Sequence, residues 1–470
     1  MPPPLYDQAC SLETLLTISD RGTWGSRFGF VLAAAGSAVG LGNIWGFPTK
    51  VGQNGGGAFV LVYLACVIFI CFPILIAELA IGRHTKSDPV SAYAKLSPRT
   101  RWWMAGALGV AAGFGVLSFY SVIAGWVLAY IWFSATGTVS SGALESATFF
   151  TEFTARAPIN LMLTFVMLAA TAVVLLGGIR SGIERVSRFL MPVLAVLLVG
   201  LAIRAITLPG AAEGVAYYLK PDFSKVMNFG TLNAALGQAF FSLSLGLGTM
   251  LVYGSYLTRR EGIAKAAVMV VVIDTCLALL AGFMIFPSGF SIPGFDPSSQ
   301  GPGLIFVVLP RLFASLPGGQ FFGAAFFILL TLAALTSAIS LLEVPVAHFI
   351  DTHSWSRTRA VLVVMMATFV LAIPSVLASG ANNFFTSLPI IGLDFLTLMI
   401  TVWNDFALPI GGLLTAVFVG YVWRIDSALE ELLAEQAWFP GRQFWGLLIR
   451  YACPAAIFLI IFGTLQSLIA

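Results

Sequence analysis

The sequence predicts an all-α polytopic membrane protein with 11 transmembrane helices, and three observations lead there. Of 470 residues, 59% are hydrophobic and only 10% charged. The mean hydropathy of +0.94 is more than one water-soluble core can hide. The apolar residues gather in runs of roughly the 20-residue length that spans a bilayer, and the basic residues between runs alternate from dense to sparse, the pattern that sets orientation.

The runs cover residues 28–51, 57–81, 102–133, 159–177 and 189–206. A second set covers 232–257, 264–286, 321–350, 360–376 and 396–423, and one more follows at 444–469. The segment up to Asp20 is polar and has no signal-peptide apolar region, so the first run is expected to stay in the mature protein. Arg21, Arg27, Arg83, Lys86, Lys95, Arg99 and Arg101 share one side with Arg180, Arg185, Arg188, Arg259, Arg260, Lys265, Arg357, Arg359, Arg424 and Arg442. That side is expected to be cytoplasmic. Lys50, Arg156, Arg204, Lys220, Lys225 and Arg311 fall on the other, so the N-terminus is expected inside and the C-terminus outside.

Several function classes drop out. A net charge of +3 with scattered Lys and Arg offers no nucleic-acid face. Cys66, Cys71, Cys276 and Cys453 sit in apolar runs, where thiols act as small hydrophobes. His84, His348 and His353 have no ligand spacing. No lysine follows a glycine, so no nucleotide-binding Walker A loop is present, and no hydrolase signature occurs. An enzyme is not expected. The absence of an Asn-X-Ser/Thr sequon favours a bacterial source.

Two runs are interrupted, the first by Gly36-Ser37-Ala38-Val39-Gly40-Leu41-Gly42-Asn43 and the sixth by Ser242-Leu243-Ser244-Leu245-Gly246-Leu247-Gly248. They stand five helices apart, as in transporters built from two inverted five-helix repeats with broken helices. Small-residue clusters also serve as plain packing surfaces between membrane helices, and the pattern alone leaves both readings open.

The residues themselves are more specific. Trp24-X-X-Arg27, Gly36 to Asn43, Phe47-Pro48 and Asn54-Gly55-Gly56-Gly57-Ala58-Phe59 together resemble the neurotransmitter:sodium symporter family. The resemblance continues through Pro73 to Glu78 with Gly82-Arg83, Gly182-Ile183-Glu184-Arg185, Tyr218-Leu219-X-Pro221-Asp222 and Gln238-X-Phe240-Phe241-Ser242-Leu243-Ser244. Gly301-Pro302-Gly303 and Leu335-Thr336-Ser337 complete it, in family order. Eleven helices resemble the bacterial branch, the leucine and hydrophobic amino acid transporters. The resemblance implies a leucine-transporter-type 5+5 inverted repeat: residues 1–27 a cytoplasmic segment with a gate, 28–206 the first repeat, 207–231 an extracellular loop, 232–424 the second repeat, 425–470 a cytoplasmic loop and the eleventh helix.

The resemblance also implies a site. One Na⁺ would be held by carbonyls of Gly36, Val39 and Ala333 and hydroxyls of Thr336 and Ser337, an all-oxygen shell suited to a small hard cation. On their own, Thr336 and Ser337 could equally bond back within their helix. A second Na⁺ would use Ala38, Asn43, Ser242 and Asp274. Many family members carry a neutral Asn where this chain has Asp274, so a fixed carboxylate is expected to replace bound chloride; an acid in an apolar run is functional by default. The substrate carboxylate would meet the N–H groups of Leu41 and Gly42 and the hydroxyl of Tyr120. Its amino group would meet Ala38, Phe241 and Ser242. Val116, Tyr120, Phe241, Ser244, Leu247, Ala338 and Leu341 would surround a hydrophobic or aromatic side chain. Amine-carrying relatives have an Asp at the position of Gly40, so an amino acid is expected instead.

Arg21 and Asp351, with Trp24 and Tyr256, match the family's cytoplasmic gate. On the outside the family's Arg position is Gly46 and its Asp position is Ile400, so that ion pair is absent, with Asp394 or Asp405 as conceivable stand-ins. The whole reads as a Na⁺-coupled amino acid symporter of a bacterial inner membrane, its partners a small solute and the lipid bilayer. The alternative is an uncoupled channel or solute sensor on the same fold.

Overall fold

A computed structural model describes residues 22–139, 143–226, 228–259, 261–292, 294–298, 303–315, 317–389, 392–434 and 439–469. Arg21 of the expected gate, Arg260, and Gly301 and Pro302 of one motif lie outside them. Among the described residues, nine helices are each long and apolar enough to cross a membrane. They are α2 (Gly57–Thr85), α3 (Trp103–Ala135), α4 (Ala157–Leu176), α5 (Ile179–Ile206), α7 (Ile263–Phe290), α8 (Gly319–His353), α9 (Arg357–Leu377), α10 (Phe395–Val422) and α11 (Arg442–Gln466).

The remaining two spans are broken. In α1, Arg27–Ala38 and Gly42–Gln53 meet at an angle of 50°. In α6, Phe229–Ser242 and Thr249–Ser255 flank a non-helical stretch. Neither half of α6 is long enough to span alone, so the sixth element crosses only as a pair. Among the described residues the architecture is all-α, with nine spans, or ten when the bent pair of α1 counts as one, and the two halves of α6 stand where the sequence places a further one.

The start of α5 differs from the hydropathy reading, which places it at 189. The helix begins ten residues earlier with a π-helical turn, Ile179–Glu184. Polar residues look like loop to a hydropathy scan, but Glu184 is buried. Its carboxylate accepts from the Gly25 N–H, the Ser26 hydroxyl at 3.2 Å and Arg188 at 2.6 Å. Burial is tolerable because every bond comes from a donor.

Close helix packing comes from glycine. A Cβ on Gly82 of α2 would stand 1.9 Å from the Leu251 carbonyl oxygen of α6, and one on Gly246 would stand 2.1 Å from that of Leu408 in α10. Small residues let backbones approach where lipid supplies no hydrophobic drive. At the C-terminal end of α2, buried Arg83 bonds Glu431 Oε1 at 2.6 Å and the Glu261 carbonyl at 2.7 Å. His84 lies 3.0 Å from Glu431 Oε2. This fastens the amphipathic helix Ile425–Leu433 against α2.

Removing one partner of that pair strands a buried charge. Arg83→Ala or Glu431→Ala should each destabilise the fold by about 3–5 kcal/mol, and Arg83→Met with Glu431→Leu by less than the sum of the two. Melting curves of the detergent-purified variants check this.

Candidate functional site

The first half of α1 ends at Ala38, and Val39 is extended, with φ −76° and ψ 99°. Helical bonding resumes at Gly42. In α6 the break carries three left-handed residues, Ser244 at φ 52°, Gly246 at 79° and Gly248 at 75°. Glycine adopts this conformation freely, whereas Ser244 is strained in it and must be held by its surroundings.

Each break frees backbone groups that no water can receive, and the two satisfy one another. The Ser37 carbonyl accepts from Ser244 Oγ at 3.0 Å and from Ser337 Oγ of α8 at 3.1 Å. Ser37 Oγ bonds Ser340 Oγ at 2.7 Å. The Leu41 N–H donates to the Tyr120 hydroxyl of α3 at 3.2 Å, and the Gly40 N–H to Asn43 Oδ1 at 3.2 Å. The Gly246 N–H donates to buried Glu78 of α2 at 2.8 Å.

Asp274, fully buried in α7, joins the same cluster. Asn43 Nδ2 donates to its Oδ1 at 2.7 Å, and Ser242 Oγ lies 3.0 and 2.8 Å from its two oxygens. Tyr63 stands behind, its hydroxyl 3.4 Å from Ser242 Oγ. The acid thus bridges both breaks through an amide and a hydroxyl.

Of the residues expected at a first cation position, Ser337 reaches across to α1, whereas Thr336 bonds back to Leu332 and Ala333 carbonyls at 3.2 and 3.0 Å. Gly36 faces Thr336: a Cβ there would lie 3.4 Å from the Thr336 Cβ and 3.3 Å from Met191 Sδ. Val39 and Ala333 are buried. Of the expected pocket, Ala38, Leu41, Gly42, Val116, Tyr120, Ser244, Leu247, Ala338 and Leu341 are buried. The Phe241 ring lies over Gly42, 2.7 Å from where a Cβ would stand. Gly40 is enclosed too, its would-be Cβ 2.3 Å from Ser337 Oγ and 2.9 Å from the Tyr120 hydroxyl. A side chain does not fit there.

At the end of the bundle where α1 begins, Trp24 is buried against Phe30, Tyr253 and Tyr256, with ring centroids 5.7, 5.2 and 6.2 Å away. Its indole N–H donates to the Tyr253 carbonyl at 3.0 Å. Tyr256 donates to Glu343 at 2.7 Å, which pairs with Arg357 at 2.7 Å. Asp351 accepts the Asp88 N–H at 2.7 Å. Burial pushes the Asp88 carboxyl up, but bonds to His348 at 2.9 Å and to Ser91 outweigh it and hold the group below the usual carboxylate range. Beyond the break in α1, Gln238 fills the space beside Gly46 and donates to the Gly42 carbonyl at 2.8 Å. Ile400 packs into the apolar core, and Asp394 caps α10 by accepting the Thr397 N–H at 2.9 Å.

Sequence reasoning did not single out Ser37, whose carbonyl gives no side-chain signal. It also passed over the roles of Glu78, Glu184, Glu343 and Gln238. Glu78 and Glu343 were open to detection, since a carboxylate in an apolar run needs a partner.

Two broken spans whose freed backbone groups meet around a buried acid define a secondary transporter of the inverted-repeat class. The pattern of the sodium:neurotransmitter symporter family matches residues 21–151 and 144–469. The chain belongs to that family. It is 38% identical to the sodium-dependent transporter YhdH of Bacillus subtilis, over 93% of this chain and 96% of the relative. A sodium-dependent transporter of Haemophilus influenzae is 34% identical over 95% and 98%. The solved structure of MhsT, in complex with L-phenylalanine, superposes with a TM-score of 0.87 and is 44% identical, covering 94% of this chain and 100% of that one. The Drosophila melanogaster serotonin transporter is 28% identical over 97% of this chain.

Because the space over Gly40 is filled, Gly40→Ala should force Ser337 and Tyr120 apart and lower stability by about 1–3 kcal/mol. An unchanged melting temperature would show that the break relaxes freely.

Proposed function

We propose that the protein carries an amino acid with a hydrophobic or aromatic side chain into the cell, coupled to two Na⁺ and without chloride. The observation that carries this reading is the cluster in which Asn43 and Ser242, one from each break, meet on Asp274. An oxygen-rich shell containing one full negative charge attracts a small hard cation, and a fixed carboxylate supplies the charge that a bound chloride would otherwise bring.

One Na⁺ would sit among Asp274, the Asn43 side-chain oxygen and the Ser242 hydroxyl oxygen in place of the bonds these two now give the acid, with the Ala38 carbonyl and the substrate carboxylate completing its shell. The other would take the Gly36, Val39 and Ala333 carbonyls with the Thr336 and Ser337 hydroxyls. The substrate carboxylate would take the Leu41 and Gly42 N–H groups and the Tyr120 hydroxyl. Gly40 favours a ligand that brings its own carboxylate, because no acid side chain fits above it. That L-phenylalanine is the ligand in the MhsT structure supports the substrate class.

In this reading the N-terminus and the basic loops face the cytoplasm of a bacterial inner membrane, and the Trp24 cluster plugs the inner exit until the ions and solute have bound. A cation entering down about 100 mV releases about 2.3 kcal/mol, and a tenfold gradient adds about 1.4 kcal/mol. Two Na⁺ thus supply about 7 kcal/mol, enough for a solute ratio on the order of 10⁵.

Proteoliposomes holding the purified protein should accumulate L-phenylalanine against its gradient when Na⁺ is imposed outside, and lose it on addition of a sodium ionophore. Simple equilibration, unaffected by the ionophore, would instead indicate a channel. Uptake should be indifferent to chloride in the wild type. In Asp274→Asn it should fall at least tenfold in chloride-free buffer and recover with chloride; identical ion dependence in both proteins would refute the charge role.

A further inference from the structure

The outer mouth holds two charges that the proposed site leaves unused. Lys50 is the sole charged residue in the outer half of α1, Gly42–Gln53, and Asp405 the sole charged residue in α10, Phe395–Val422. An ionisable group within a span is costly unless it faces a polar interior and meets a counter-charge. Neither is spent elsewhere: Asp405 accepts one bond, from Asn404 Nδ2 at 2.9 Å, and Lys50 makes no salt bridge among the described residues. Both side chains are exposed. Lys50 is the cation whose charge reaches the Asp405 carboxylate, although the two are not in contact.

Their register brings them to the faces where an outer pair would be needed. Lys50 lies four residues beyond Gly46 in the α-helical turn Phe47–Gln53, and residues four apart share a face. Asp405 lies five residues beyond Ile400, within the π-helical segment Thr401–Ala407. In a π-helix the bonds run from i to i+5, as the Leu408 N–H to the Trp403 carbonyl does here. A π-turn takes in more residues than an α-turn, so Asp405 comes back close to the face of Ile400. A regular α-helix would rotate it away.

We propose that Lys50 and Asp405 form the charged latch that closes the outer mouth of α1 against α10 over the bound solute. The inference rests on the transport reading above, and it assigns outer closure to a pair displaced by one turn on each helix. Closure draws the ammonium and carboxylate together and removes water from both. Gln238, already bonded to the Gly42 carbonyl, keeps α6 moving with α1 as it swings.

Charge exchange tests this. Lys50→Asp and Asp405→Lys each put like charges across the mouth and should lower the initial rate of Na⁺-driven L-phenylalanine uptake by about tenfold or more. The double variant restores opposite charges and should recover to within about threefold of wild type. The melting temperature in Na⁺ and L-phenylalanine reads the same pair without transport, and there too each single variant should fall and the double recover. Single variants that behave as wild type, or a double variant no better than either single in both measurements, would overturn the latch. A wild type that takes up no solute would refute symport instead, and the melting pattern would still decide the pair.

Discussion

A helix that stops inside a bilayer leaves N–H and C=O groups facing a medium that cannot bond them. In this protein two helices stop, and their loose ends are placed against each other. The Ser37 carbonyl takes hydroxyls from α6 and α8, Leu41 gives its N–H to Tyr120, and Gly246 gives its own to Glu78. Much of the rest follows from that exchange. It requires glycine at Gly40, Gly42 and Gly246, where neighbours leave no room for a Cβ, and it draws Asp274 into contact with both breaks through Asn43 and Ser242.

The same exchange explains how such a site can change state. Most of its bonds link one helix to another, so a ligand that takes over a carbonyl or a hydroxyl alters how two helices are joined. Thr336 now bonds within α8 and Ser337 outside it. In the proposed cation site, these two adjacent hydroxyls would turn to the ion without breaking the backbone bonds of α8. The end of the bundle where α1 begins is built differently, from buried aromatic packing around Trp24 and the Glu343–Arg357 pair.

The legibility of the fold varied with the kind of signal. Apolar runs were plain, because a span cannot hide its hydropathy, whereas the glycine clusters fitted a packing surface as well as a break until the family motifs around them were read. The start of α5 was misread because Glu184 and Arg188 look like loop residues until Gly25 and Ser26 are seen beside them. The bonding of Thr336 was undecided in sequence, since a hydroxyl in an apolar helix bonds backward or sideways equally well.

The sequence by itself determined the all-helical membrane architecture, the positions of the two glycine clusters and the presence of a lone acid in α7, for each is written in consecutive residues and their periodicity. Only the tertiary structure decided which groups meet. Ser37 bonds Ser340, 303 residues away, and Asn43 bonds Asp274, 231 residues away. Partners so distant are chosen by how helices pack in three dimensions. That packing depends on close glycine contacts and on π-helical turns, which shift a face by one residue and leave no mark in a hydropathy scan.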